Sequence, residues 1–356
     1  MAIGEPLGME RIEFKDLQTR AHIVQLTSNV TMSMNLYFEE TPFTPDGESV
    51  IFRSRRGTLR SNPWDLYRVN TDGSNLIQLT DTDRFADAVL SLDGERAFYC
   101  AGKELRSVRL ADGTDELVRD FEGAQAVHEM TIGGEFVFMR VVYADDNHHL
   151  VRVAVNGNVC ETIMESGFFG HLTASQSGRF LSWVGLNDEG TRVGTWRVMR
   201  SDGTGERAWP VQEWSHSSWV GSTDRMQGGL LPPERALSWM HAEDEAHEII
   251  AQGAYFVHSS ATPDGEWIVS DTNWPNIGLQ LVHIPSGRWD TICLDQSSFG
   301  HPQYTHPHPV ISADGYKVLY NSDKTGIPQV YIVNVPDWLR EELRSGAISN
   351  RHRVGS

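Results

Sequence analysis

Short apolar runs alternate with tight-turn signals along most of this chain. Long amphipathic helical patterns are nearly absent. The first clear unit holds the turn Phe43-Thr44-Pro45-Asp46-Gly47 and the run Ser49-Val50-Ile51-Phe52. A second run, Asp65–Val69, follows, then Asp72-Gly73 and a third run, Leu76-Ile77-Gln78-Leu79-Thr80. Turns of the first kind return at Asp93-Gly94, Gly133-Gly134, Ser177-Gly178, Asp264-Gly265 and Asp314-Gly315. Turns of the second kind return at Asp112-Gly113, Asn156-Gly157, Asp202-Gly203 and Ser286-Gly287. Such dipeptides supply the positive φ values that tight hairpins need. A period of roughly 40 residues is that of a four-stranded propeller blade. Seven units begin near Phe38, Asp87, His128, His171, His216, His258 and His306. The fifth is irregular, with Ser222-Thr223-Asp224-Arg225 at its turn. The last unit lacks a fourth strand, and Ile23-Val24-Gln25-Leu26-Thr27 nearly copies Leu76–Thr80. The pattern therefore predicts an all-β fold, a seven-bladed β-propeller closed by an N-terminal strand that completes the last blade. Residues 1–20 are expected to be an extension, 21–340 the propeller and 341–356 a polar tail.

Candidate chemistry concentrates in Gln303-Tyr304-Thr305-His306-Pro307-His308-Pro309. Side chains at i and i+2 of a strand share a face, so His306 and His308 are expected side by side on an edge strand. Gln303 can bring its carbonyl oxygen alongside. Two imidazoles and an amide oxygen, with no thiolate, suit Mn, Fe, Co, Ni or Zn. His171, His258 and His308 each stand seven residues before their blade's first turn glycine, which places them equivalently at one channel mouth. His128 is one residue out of step, and His216 opens blade five. The expected ligand set is His258, Gln303, His306 and His308, with positions left for water or a substrate carboxylate. His216 and His171 are then unliganded imidazoles near the metal, either able to act as a general base.

Charge narrows the partner. The chain carries a formal net charge of −18, which disfavours nucleic acid and anionic membranes. No stretch is apolar enough for a transmembrane span, and the N-terminus lacks the pattern of a signal peptide. Cys100, Cys160 and Cys293 are few and far apart, reading as reduced core residues of a cytoplasmic protein. An acidic substrate needs a local positive pocket. The run Arg53, Arg55, Arg56 and Arg60 offers one candidate, with Arg60 the favoured contact to an acidic group. Trp64, Trp196, Trp267 and Trp289 are expected to pack between blades.

The segment from Gln303 through Pro309 to Ser322-Asp323-Lys324-Thr325-Gly326-Ile327-Pro328 resembles the C-terminal signature of oligogalacturonate lyases, polysaccharide lyase family 22. The likeness extends to Asn35-Leu36-Tyr37-Phe38, Gly170-His171, His216 with Trp219, and His258. The resemblance implies a seven-bladed propeller that holds manganese, or a similar divalent metal, through His258, His306, His308 and Gln303. It also implies His216 as the base, assisted by an arginine matched by Arg192, with short galacturonate oligomers as substrates. His171 and Arg60 are then substrate-binding candidates. Blade four departs from the family pattern. Where a His-Glu-Gly-Pro stretch and an Arg-x-Trp stand in the family, this chain reads Leu186 to Trp196, and Arg192 aligns only with a gap. Ser33-Met34-Asn35 likewise replaces a Cys-His pair. The implied reaction is β-elimination from a small acidic oligosaccharide, and the drift allows a different uronate or linkage. The alternative is a non-catalytic propeller that binds a sugar acid or a protein.

Overall fold

The computed structural model describes residues 3–56, 64–166, 169–186, 193–274 and 277–347. Its strands form seven antiparallel sheets, and each is one blade of a β-propeller. The innermost strands, in chain order, are Ser33–Met34, Phe85–Leu90, Ala126–Gly133, Gly170–Ala174, Trp214–Trp219, Phe256–Ala261 and Val310–Ile311.

The first hairpin of most blades is built by one local device. In blade one the Thr44 hydroxyl donates to Asp46 Oδ1 at 2.6 Å, which also accepts the Glu48 N–H. The same bonds join Ser91, Asp93 and Glu95, then Thr262, Asp264 and Glu266, then Ser312, Asp314 and Tyr316. The aspartate folds the chain back, and the following glycine takes the left-handed region, as Gly315 does at φ 71°. Ser-or-Thr-x-Asp-Gly is thus a turn read locally, before any blade packs.

Closure follows the expected route. His22–Gln25 pairs antiparallel with Gln329–Asn334, with Ile23 opposite Val333 and Gln25 opposite Tyr331. The Leu26 N–H continues the ladder to the Val330 carbonyl. Val24 and Leu26 are buried with Phe52, Tyr67, Val310 and Leu319, so the N-terminal strand joins blades seven and one in one apolar layer. Two elements lie outside that expectation. Ile12–Lys15 pairs with His22–Gln25 and gives blade seven a fifth, outer strand. Asp337–Ser345 is a helix, and its Leu339 and Leu343 are buried against blades six and seven. Trp196 and Trp267 are buried in inter-blade layers, as the sequence implied.

Candidate metal centre and substrate cavity

One backbone bond sets a common register for the blades. The N–H that closes the first hairpin belongs to Thr44, Ser91, Ser175, Val220, Thr262 and Ser312 in blades one, two, four, five, six and seven. In blade three Gly133, paired with Phe136, holds that place. Four residues earlier stand Glu40, Asp87, Glu129, His171, His216, His258 and His308. The seven blades therefore present a ring of three carboxylates followed by four imidazoles. Glu129, His171 and His308 also share a left-handed backbone, at φ 53°, 52° and 46°. The four histidines were anticipated near the mouth. The acids were not, although Glu40 and Asp87 precede Gly47 and Gly94 by the same seven residues.

Within the imidazole half, His258, His306 and His308 form a group whose candidate ligand atoms all lie within 4.8 Å of one another. The way His306 and His308 converge corrects the sequence expectation. They do not share the face of a strand, because the innermost strand of blade seven is only Val310–Ile311. A bend precedes it, and the positive φ of His308 turns the two side chains toward each other. The bend is held from both sides. The Asn35 side chain donates to the His308 carbonyl at 2.6 Å, and the Asn321 N–H donates to Pro307 O at 2.8 Å. Asn35 and Asn321 also bond one another. Proline before and after His308 removes the donors that would otherwise continue a ladder there.

Asp271 organises the group from behind. This carboxylate, 1% exposed, accepts the His258 N–H at 2.9 Å and His258 Nδ1 at 2.9 Å, and it lies 3.3 Å from the His308 backbone N. Nδ1 of His258 is thereby the protonated nitrogen, which leaves Nε2 with its lone pair free. A carboxylate behind an imidazole is the arrangement that fixes a metal-ligating tautomer. His308 gives the test of fit. It is fully buried, yet neither ring nitrogen has a hydrogen-bond partner. His306 Nδ1 is also buried without one. Buried polar nitrogens are rarely left unpaired, and a divalent cation would satisfy all three rings. Burial and the neighbouring imidazoles hold His308 and His306 below the ordinary histidine value, in the neutral form a metal requires.

His216 lies beside this group and outside it. Its ring centroid is 4.3 Å from that of His258, and Phe38 packs against it edge-on. Burial first, then the His258, His171 and His306 charges, push its pKa down to about 2. His171 is the opposite case. Glu39 Oε1 is 3.1 Å from its Nδ1, and that carboxylate raises its pKa to about 9. Glu39 favours the protonated form of His171, and an imidazolium suits an anion.

A cavity of about 560 Å³ adjoins the histidine group on the acidic side of the ring. Tyr37, Arg53, Asp87, Glu129, His171 and Gln303 are among its walls. Gln303 is exposed and lies beside Tyr37, whose ring centroid is 4.7 Å from that of His308. Burial raises Glu129 to about 7, against the opposing charge of Arg140, 2.9 Å away. Arg60 and Arg192 lie outside the described residues. Arg53, within the run that pointed to Arg60, is the only arginine among the described cavity walls.

Fold and site together define a seven-bladed propeller with a histidine group that could hold a metal at one mouth. Its relatives point the same way. No protein-family profile matches the chain. A curated oligogalacturonide lyase of Pectobacterium atrosepticum is 22% identical over 403 aligned positions, covering 95% of this chain and 99% of the relative. An oligogalacturonate lyase of Dickeya dadantii is 21% identical, with the same coverage. A solved structure of oligogalacturonate lyase in complex with manganese superposes with a TM-score of 0.82, at 19% identity, over 96% of this chain and all of that one. The chain resembles oligogalacturonate lyases along nearly its whole length. Among the described residues no helix is long and apolar enough to cross a membrane.

Proposed function

We propose that this protein is a metal-dependent lyase that cleaves short uronate oligosaccharides by β-elimination. The observation that carries the proposal is the convergence of His258, His306 and His308 beside a cavity, with both His308 nitrogens buried and unpaired. His258, His306 and His308 hold Mn²⁺ or a similar divalent ion, with Gln303 as the oxygen ligand after its side chain turns from Tyr37. The ion, when bound, offsets negative charge building on the uronate carboxylate.

The residues divide the remaining work. His216, beside the metal group and outside it, is the imidazole that accepts the C5 proton. The C5–H electrons form the C4–C5 double bond, the C4–O4 bond breaks, and the leaving oxygen takes a proton from water. Arg192 assists the base. His171, cationic beside Glu39, and Arg60 receive acidic groups of the substrate. Three free cysteines, none near another in sequence, suit the cytoplasm, where thiols stay reduced.

The test is the ultraviolet absorbance of the new C4–C5 double bond, followed over a panel of uronate oligomers with chelated protein and with added Mn²⁺. Metal-dependent absorbance on at least one oligomer is expected. Wild-type protein that binds metal yet is silent on the whole panel would favour the non-catalytic, sugar-acid-binding reading.

A further inference from the structure

Among the described cavity walls, Arg53 is the cation with no hydrogen-bonded or ion-paired side-chain partner. Several of the other charged groups are matched. His171 pairs with Glu39, and Glu129 pairs with Arg140. Asp87 accepts the backbone N–H of Ala88 at 2.9 Å and of Met130 at 3.0 Å. Arg53 is different. No hydrogen bond or ion pair joins its side chain to any described residue, and its Nε is buried without a partner. The Trp64 ring, with its centroid 5.4 Å from the guanidinium carbon, supports it. The Asp87 charge reaches it only through space. Burying a charge is costly unless a partner or ligand compensates. A guanidinium offers two parallel donors, the shape that matches a carboxylate.

We infer that Arg53 receives a second substrate carboxylate, that of the sugar unit next to the one that reacts. The inference rests on the uronate-lyase reading and adds to it a specificity contact on blade one. Arg53 lies close enough to the histidine group for its charge to bear on His308. The two acidic groups of neighbouring sugar units would then be held at separate places: one at the metal centre, one at Arg53. A uronate followed by a neutral sugar fills only the first.

The experiment measures binding by calorimetry on the full-length, manganese-loaded protein. The ligands are digalacturonate, its methyl ester and free galacturonate. Arg53→Gln is expected to weaken digalacturonate roughly 10–100-fold, the range of a charged hydrogen-bonded contact. Binding of the ester and of galacturonate should stay within about twofold of wild type. Arg53→Lys keeps the charge but loses the fork, and should fall between. In turnover, Arg53→Gln should raise KM with little change in kcat. Its melting temperature should change little, because the guanidinium has no hydrogen bond or ion pair to lose beyond its contact with the Trp64 ring. Unchanged digalacturonate affinity, an equal loss on the ester, or a lowered melting temperature alongside weaker binding would each overturn the inference. Wild-type protein that binds digalacturonate without forming a double bond sinks the lyase proposal, and the Arg53→Gln affinity still decides this one. Wild-type protein that binds no uronate sinks both.

Discussion

Replacing Asp271 by asparagine asks whether the histidine group is a metal site or a polar core cluster. The carboxylate accepts two donors from His258 and lies 3.3 Å from the His308 backbone N. Asparagine has one acceptor oxygen, so it can keep one backbone donor but not the full set. It also turns an N–H₂ toward a group that was donating. One buried donor left unpaired costs about 1–3 kcal/mol, which a domain with about 5–15 kcal/mol of stability survives. Alanine would strip all the donors at once and is the poorer variant. The loss of metal affinity is the diagnostic effect. Removing the group that orients a ligating imidazole typically weakens metal binding about 10–100-fold, roughly 1.4–2.7 kcal/mol. The assay is titration of chelator-stripped protein with Mn²⁺, by calorimetry and by the rise in melting temperature. Wild type should gain stability as Mn²⁺ exceeds its Kd, and Asp271→Asn should need about 10–100 times more metal for the same gain. A variant with lowered melting temperature but wild-type Mn²⁺ affinity would show that Asp271 only props up the core, and the metal-centre argument would fail.

Other consequences follow from the same geometry. His306→Ala should abolish stoichiometric Mn²⁺ binding, read by elemental analysis, while far-ultraviolet circular dichroism stays that of the wild type; full occupancy in the variant would remove His306 from the ligand set. His216→Ala should bind metal and substrate but lose about 10²–10⁴-fold in kcat, and wild-type turnover would end its role as base. His171 has a folded pKa near 9, above the ordinary histidine value of 6.5. Its ion pair with Glu39 therefore contributes fully below about pH 6.5 and is lost as pH rises through about 9. Affinity for acidic saccharides should decline over that window, and His171→Gln should flatten the decline. Leu26→Ala, at a fully buried position in the closing strand, should cost about 2–5 kcal/mol in denaturant unfolding; a loss under 1 kcal/mol would mean the N-terminal strand does not close the ring.

The repeat was legible because each blade's turn is local chemistry. Ser-or-Thr, Asp and Gly within a few residues fold the chain wherever they occur, so their period reports the blades directly. Ring closure was legible for a related reason: Ile23–Thr27 copies the strand it stands in for. The offset to each turn glycine found His171, His258 and His308, and the same offset contains Glu40 and Asp87. Blade five hid the equivalence of His216, because its turn has Thr223 where blades one, two, four, six and seven have glycine. What the chain alone could not determine is how the side chains meet. His306 and His308 converge through a left-handed residue, not a strand face, and that conformation is held by Asn35 and Asn321, 286 positions apart. Asp271 reaches two blades at once, and the Arg53 guanidinium has no hydrogen-bonded or ion-paired partner among the described residues. Periodicity is a property of neighbours along the chain. Burial, pairing and the absence of a partner exist only once the ring has closed.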